Sequence, residues 1–354
     1  MSKKQLKVAV VGLRVGRAHA ADYAASDAVG ELLLCDCNTA LLAEAVDQYP
    51  GARGYADFTE MLRQERPDAV SIALPNKLHR SFSIQALEAG CHVLCEKPMA
   101  RNAAEALAMA RTAERCERKL MINFNQRFES PVYSLLKEWL DAGRFGKLYY
   151  VKSRWSRRRG VPWWYPLSRE MCGGGALVDL GVHVLDRAMW WCGFPEPEWV
   201  LGNTYCGIAA REAERRKLAP FELEDFGAAA IRMRNGMLLM LEASWASNRE
   251  NEEISVRLYG ERGGALIQTE VGTNSEIRVK LFLEQDGVLC DMIPAVETLP
   301  PVPTIRQAFL EAILQDTPVP CSPEQGILIS RLLDAIYQCA ATGAPVRLTE
   351  ATPL

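Results

Sequence analysis

The chain has 354 residues, a formal net charge of -3 at pH 7, and 49% hydrophobic and 24% charged side chains. That length allows two domains with separate cores, the apolar content excludes intrinsic disorder, and the charge balance makes no case for a nucleic-acid partner. No run approaches the ~18 apolar residues of a membrane helix, and a strand opens near Leu6 with no signal-like stretch before it, so a cytoplasmic protein with no membrane partner is expected.

The first part of the chain alternates short apolar runs with helical stretches, the pattern of a parallel, doubly wound α/β sheet. Strands are predicted at Lys7–Val11, Leu32–Cys35, Ala69–Leu74, His92–Cys95 and Leu120–Phe124. The first runs into Gly12-Leu13-Arg14-Val15-Gly16, where glycines would let the chain turn tightly and bring backbone N–H groups at a helix N-terminus to a pyrophosphate. Arg14 stands where a G-x-G-x-x-G loop has its second glycine, so taken alone the segment also fits an ordinary strand-to-helix turn. Asp36 closes the second strand, where an acid binds a ribose 2′-hydroxyl and repels a 2′-phosphate. Arg14 argues for NADP, but Cys37 and Asn38 bring no positive charge beside Asp36, and NAD is favoured. Asp57 with Glu60, and Asn102 with Glu105, fit helix starts, and Gly90 fits a helix end.

Leu74-Pro75-Asn76 and His79 follow the third predicted strand, and Glu96-Lys97-Pro98 follows the fourth. In open parallel sheets ligands lie outside the carboxyl ends of the strands, so Lys97 is placed at cofactor or substrate. Asn76 reads equally as a cofactor contact or a helix cap. His92, among apolar neighbours, reads as a core histidine. The 11 cysteines are scattered, their close pairs are not C-x-x-C, and no histidine stands at zinc-ligand spacing, so free thiols and no metal are expected.

After about Phe128 strands follow one another without helical crossovers, which predicts a mostly antiparallel sheet. The clearest hairpin joins Ala228–Met233 to Met237–Trp245 through Asn235-Gly236; Ser255–Tyr259 and Ile277–Glu284 also alternate as strands. Met237, Leu239, Leu241, Ala243 and Trp245 fall on one strand face. Leu238 and Met240 fall on the other, a continuous apolar patch that predicts self-association as a homodimer or homotetramer. Helix returns over 303–341, broken near Pro318-Val319-Pro320. The domains are therefore drawn as 1–125 and 126–354, with the last helices packing back on the first.

Within that second part, Gly173-Gly174-Gly175 leads into a helical run on which Asp179, His183 and Asp186 share one face. Three ionisable groups among Leu177, Val178, Leu180 and Val182 are costly unless they pair or work, and the glycines would admit a ligand. Arg157-Arg158-Arg159 precedes Trp163-Trp164-Tyr165, which reads either as a solvated charged loop or as a substrate lid whose rings cover sugar C–H faces.

These motifs, with Asn123-Phe124-Asn125-Gln126-Arg127-Phe128 and the helical end Leu333–Tyr337 through Val346, make the whole chain resemble the Gfo/Idh/MocA oxidoreductases, the glucose-fructose oxidoreductase and inositol dehydrogenase group. The resemblance implies an N-terminal Rossmann domain and a C-terminal α+β domain with an open sheet. It implies an NAD-dependent dehydrogenase that moves a hydride between nicotinamide and a secondary alcohol of a sugar, glycoside or cyclitol. Lys97, Asp179 and His183 are then the catalytic group. Gly12, Arg14, Val15, Gly16, Asp36, Leu74, Pro75, Asn76, His79, Glu96, Lys97 and Asn125 are expected at the cofactor. Arg127, Arg157, Arg158, Trp163 and Trp164 are expected at the substrate beside the catalytic three. Two rival readings share these residues: an NAD-recycling glycosidase or lyase that oxidises its sugar transiently, and a non-catalytic sugar or nucleotide sensor.

Overall fold

The computed structural model describes residues 5–165, 167–218, 221–270 and 276–348, and the chain divides into two compact units. One takes the described residues up to Asn125 together with Pro303–Ser330; the other takes the described residues of Gln126–Val302 and those from Arg331 to Leu348.

In the first unit, β1 (Leu6–Val11), β2 (Val29–Cys35), β3 (Arg53–Tyr55), β4 (Ala69–Ile72), β5 (His92–Cys95) and β6 (Leu120–Ile122) form one parallel sheet in the order 3-2-1-4-5-6. Helices α1 (Arg17–Ala24), α2 (Thr39–Gln48), α3 (Phe58–Glu65), α4 (Asn76–Glu88) and α5 (Ala103–Arg115) connect them. Every residue of β4 and β6 is buried, as is all of β1 except Lys7. A sheet covered on both faces needs continuous apolar runs, and that is why these strands are legible in the sequence. The edge strand β3, Arg53-Gly54-Tyr55, has no such run and is an addition. Asp57 and Asn102 cap α3 and α5 as expected, accepting from the Glu60 and Glu105 amides, and Gly90 follows α4 at φ +90°. The strand order reverses between β1 and β4. There Gly12 (φ +89°) packs so closely that a Cβ would lie 2.4 Å from the Ala73 carbonyl oxygen. The segment from Pro303 is tied into this unit by Arg306 Nε on Asp22 (2.7 Å) and by the Ile122 amide donating to the Cys321 carbonyl.

The second unit holds α6 (Pro131–Asp141), β7 (Leu148–Ser156), α7 (Arg169–Cys172), α8 (Val182–Trp191), β8 (Pro197–Tyr205) and α9 (Ile208–Arg215). Strands β9 (Phe226–Met233), β10 (Leu238–Ser244), β11 (Glu253–Gly260), β12 (Gly263–Glu270), β13 (Glu276–Gln285), β14 (Val288–Met292) and β15 (Val346–Arg347) complete it. Among the described residues the sheet is nine-stranded, in the order 14-13-12-11-7-10-9-8-15, and only the β7–β10 pair is parallel. Asn235-Gly236 makes the β9–β10 hairpin, with Gly236 at φ +92° and the Asn235 side chain accepting from the Met237 amide. Met237, Leu239, Leu241, Ala243 and Trp245 are all buried. The opposite face departs from expectation. Between half-buried Leu238 and Met240 and the strand end stands Glu242, paired with Arg154 (2.8 Å), which also reaches Glu253 (3.1 Å). The face is therefore an apolar surface interrupted by an ion-pair network, not a continuous apolar patch.

Candidate active site

At the carboxyl edge of the first sheet, α1 begins at Gly16 with no side-chain cap and no acid in its first turn. An uncapped helix N-terminus offers free N–H groups to an anion, so the residues here fit a dinucleotide's phosphates. Gly16 is itself needed, since a Cβ there would lie 2.2 Å from the Gly12 carbonyl oxygen. Arg14 and Val15 are exposed at the tip of the loop, where a side chain costs nothing sterically. Asp36 braces that loop: Oδ2 accepts from the Leu13 amide (2.7 Å) and Oδ1 from the Asn38 amide (2.8 Å). Each oxygen keeps a lone pair for a ribose hydroxyl.

Leu74, Pro75, Asn76, Lys97 and Asn125 stand half-buried along the same edge. Pro75, not Asn76, occupies the N-cap position of α4. His79 differs from its assignment as a cofactor contact. It is fully buried, with Nδ1 2.8 Å from the Pro98 carbonyl oxygen and Nε2 2.7 Å from that of Leu74. Both ring nitrogens are occupied by backbone, so His79 ties the two loops together. Glu96 is buried against His19 Nε2 (3.0 Å) and the Asn123 amide, while Oε2 accepts from the Lys97 amide (3.0 Å). Burial opposes its charge, and the His19, Lys97 and Asn123 groups outweigh that, leaving its pKa lowered. Glu96 thus fixes the backbone that presents Lys97. The His19 and Asn123 supports were not anticipated, because a lone histidine inside a helix and an asparagine ending a strand carry no signal of their own.

In the second unit, Leu177–Gly181 is a π-helical segment that leads directly into α8. Such bulges re-aim side chains and recur at functional positions. From Gly174 through Met189, Asp179 and His183 alone are not fully buried. Asp179 Oδ2 accepts from Trp245 Nε1 (2.9 Å), an indole only 1% exposed. The His183 ring lies 5.6 Å from that of Trp155, whose Nε1 donates to Glu252 (2.8 Å). Trp155 and Trp245 were not anticipated as supports, because contacts between distant strands and a helix leave no local pattern.

Two expectations fail here. Asp186 does not share the face of Asp179 and His183; it is 1% exposed and accepts from Arg127 Nε (2.9 Å). Arg127, expected at the substrate, is 3% exposed in that pair, and its guanidinium also lies 5.1 Å from the Phe194 ring centre. Arg127 is thus held in the core as the partner of Asp186. The three glycines also do other work: Gly173 ends α7 at φ +83°, and Gly174 and Gly175 pack against Tyr337 and Glu224 of the protein itself.

The arginine-aromatic segment divides. Arg157 Nε pairs with Glu252 (3.1 Å) and its guanidinium lies over Trp155, 5.4 Å from the ring centre. That puts it one residue from His183. Arg158 is exposed and Trp164 is 63% exposed. Trp163 is half-buried against Phe221, whose ring in turn meets Trp245. All 11 cysteines are free, six of them buried. Among the described residues, no helix is long and apolar enough to cross a membrane.

Residues 6–124 match the family model of an oxidoreductase family with an NAD-binding Rossmann fold, and residues 137–348 match that family's C-terminal alpha/beta domain. The chain is 30% identical over 357 residues to the D-glucoside 3-dehydrogenase of Escherichia coli, covering 98% of this chain and 99% of that protein. It is 26% identical over 369 residues to the levoglucosan dehydrogenase of Pseudarthrobacter phenanthrenivorans, covering 92% and 94%. A solved levoglucosan dehydrogenase in complex with NADH and levoglucosan has the same fold, with a TM-score of 0.83 at 23% identity over 98% of this chain and 100% of that one.

Proposed function

We propose, for a chain that belongs to the Gfo/Idh/MocA oxidoreductase family, reversible oxidation of a secondary alcohol on a sugar, glycoside or cyclitol. The observation that carries the reading is the second unit's helical segment, where Asp179 and His183 reach out of an otherwise buried stretch and each is braced by an indole. Two relatives named as dehydrogenases of a D-glucoside and of levoglucosan support the substrate class.

NAD, when bound, supplies the acceptor for the hydride that leaves the substrate carbon. His183 takes the hydroxyl proton as that hydride departs, a role typically worth about 10² to 10⁴ in rate. Lys97 donates a hydrogen bond to the same oxygen and stabilises its developing negative charge. Asp179, held by Trp245, binds substrate hydroxyls. Gly12, Gly16 and the N-terminus of α1 hold the phosphates. Asp36 receives the adenosine ribose, which favours NAD over NADP because a 2′-phosphate would face its carboxylate. Arg157, Arg158, Trp163 and Trp164 border the substrate. The interrupted apolar face of the nine-stranded sheet packs against a second copy, which would bury Leu238, Met240 and the Arg154 network together.

The test is a panel of glycosides, free sugars, sugar acids and inositols with NAD, read as NADH absorbance. At least one class should be oxidised, and Lys97→Ala and His183→Ala should each lower turnover at least about 100-fold while NADH still binds. Turnover by either variant near that of the natural chain removes that residue from the chemistry.

A further inference from the structure

Glu224 lies in no recognisable motif, yet three consecutive backbone amides converge on it. Gly175 N–H donates to both carboxylate oxygens (2.9 Å each), Ala176 N–H to the Glu224 carbonyl (3.1 Å) and Leu177 N–H to Oε1 (3.1 Å). Oε1 also accepts from the Tyr337 hydroxyl at 2.7 Å. These amides open the π-helical segment, where a helix has unsatisfied donors and a positive dipole end. One residue on, the Asp225 carbonyl accepts from the Trp245 amide (2.8 Å), and the Trp245 indole holds Asp179. Both supports of Asp179, the turn before it and the indole beside it, therefore originate at Glu224-Asp225.

The glycine run is shaped around this contact. A Cβ at Gly175 would sit 2.1 Å from the Glu224 carbonyl oxygen, and one at Gly174 would sit 1.9 Å from the Tyr337 hydroxyl. Neither fits, so glycine is required at both positions for Glu224 and Tyr337 to approach the segment. Glu224 itself is 3% exposed. At that burial it acts through what it holds.

We propose that Glu224, seconded by Tyr337, is the positioning residue of this site: its carboxylate holds the Gly175 and Leu177 amides and its backbone carbonyl the Ala176 amide between them, and the three together set the direction of Asp179 and, one turn on, His183. The inference rests on the reading of those two residues as catalytic. A carboxylate is suited to the place because it accepts four hydrogen bonds and donates none, whereas a carboxamide would turn two N–H groups toward N–H donors.

The test uses the full chain and compares Glu224→Gln and Tyr337→Phe with the natural sequence in three readouts. Turnover with the best substrate of the panel should fall about tenfold or more in Glu224→Gln and less in Tyr337→Phe, in line with losing hydrogen bonds to a charged group. The NADH dissociation constant, a property of the first unit, should stay within about twofold because no step of the clamp touches the dinucleotide loop. Amide hydrogen exchange should rise in peptides spanning 174–183 and not in the β1–α1 peptides. The double variant should be no slower than Glu224→Gln alone, since Tyr337 acts through the same carboxylate. Unchanged turnover with faster exchange at 174–183 overturns the positioning role. Loss of NADH affinity and global stability in step with turnover overturns it as well, by showing a merely structural part. If Glu224→Gln does not fold, Tyr337→Phe decides: slower turnover at normal NADH affinity supports the clamp, and unchanged turnover refutes it. Should the natural chain oxidise no sugar at all, the functional reading fails, and the clamp is judged by the exchange data alone.

Discussion

Removing the Arg127 side chain should unfold the second unit long before it disturbs chemistry. Arg127 and Asp186 are 3% and 1% exposed, and each is the other's charge partner. Taking away one member leaves an ion buried without compensation, which costs about 3–5 kcal/mol. At roughly 2–4 °C per kcal/mol for a unit of this size, Arg127→Met should lower Tm by on the order of 10 °C. Burial already pushes the Asp186 carboxyl up, with Arg127 and, less strongly, Arg187 pulling it down. In the variant the larger of these pulls is gone and the folded-state pKa rises further above the unfolded value. The stability deficit is then greatest at neutral and higher pH and shrinks as pH falls and Asp186 takes up its proton. Arg127→Met with Asp186→Leu replaces the pair by apolar groups of similar volume and should recover most of the loss. Thermal and urea unfolding at pH 5.5 and 7.5, with turnover measured per folded molecule, are the assays, where these two values are chosen at about one and three units above the ordinary range of a carboxylate. A variant that keeps its Tm and loses turnover would refute the structural reading and return Arg127 to the substrate.

Asp36→Ala should weaken NADH binding about tenfold and narrow its margin over NADPH, read by fluorescence titration of both cofactors; tighter binding of NADPH by the natural chain would show that Arg14 governs the choice. Trp245→Phe keeps an aromatic ring, smaller than the indole, and removes the donor to Asp179, so turnover should fall several-fold with NADH affinity intact, a split that steady-state kinetics and titration resolve. Light scattering coupled to size exclusion should give at least a dimer at micromolar concentration. Leu238→Glu with Met240→Glu should shift it to the monomer, and a monomeric natural chain would remove the proposed interface.

The parallel sheet was legible because its strands are buried on both faces over most of their length and so are written as near-continuous apolar runs; β3, a three-residue edge, is not. The Asn235-Gly236 hairpin was legible because only a few residue pairs adopt that turn. Asp179 and His183 could be singled out because charge inside an apolar stretch is costly. Spacing alone, however, put Asp186 beside them, since a helical count cannot tell that this position packs into the core against Arg127. Arg127 was misassigned for a related reason: a buried ion pair between residues 59 positions apart looks, in sequence, like two available charges. Glu224, Trp245, Trp155 and His19 are supports formed by tertiary contact, and nothing local announces them. The glycine run was noticed, but its reason lies in Tyr337 and Glu224, both far along the chain.

The central claim is that a carbon-bound hydrogen of a sugar passes directly to the nicotinamide under control of Lys97 and His183. The most direct measurement supplies NAD with a glycoside deuterated at each ring carbon in turn and weighs the NADH formed. Deuterium should enter NADH from one ring carbon only, and neither Lys97→Ala nor His183→Ala should support the transfer at more than about a hundredth of the natural rate. Sugar binding with no NADH formed, aglycone release without net NADH, or NADH that carries no deuterium from any ring carbon would each contradict the account.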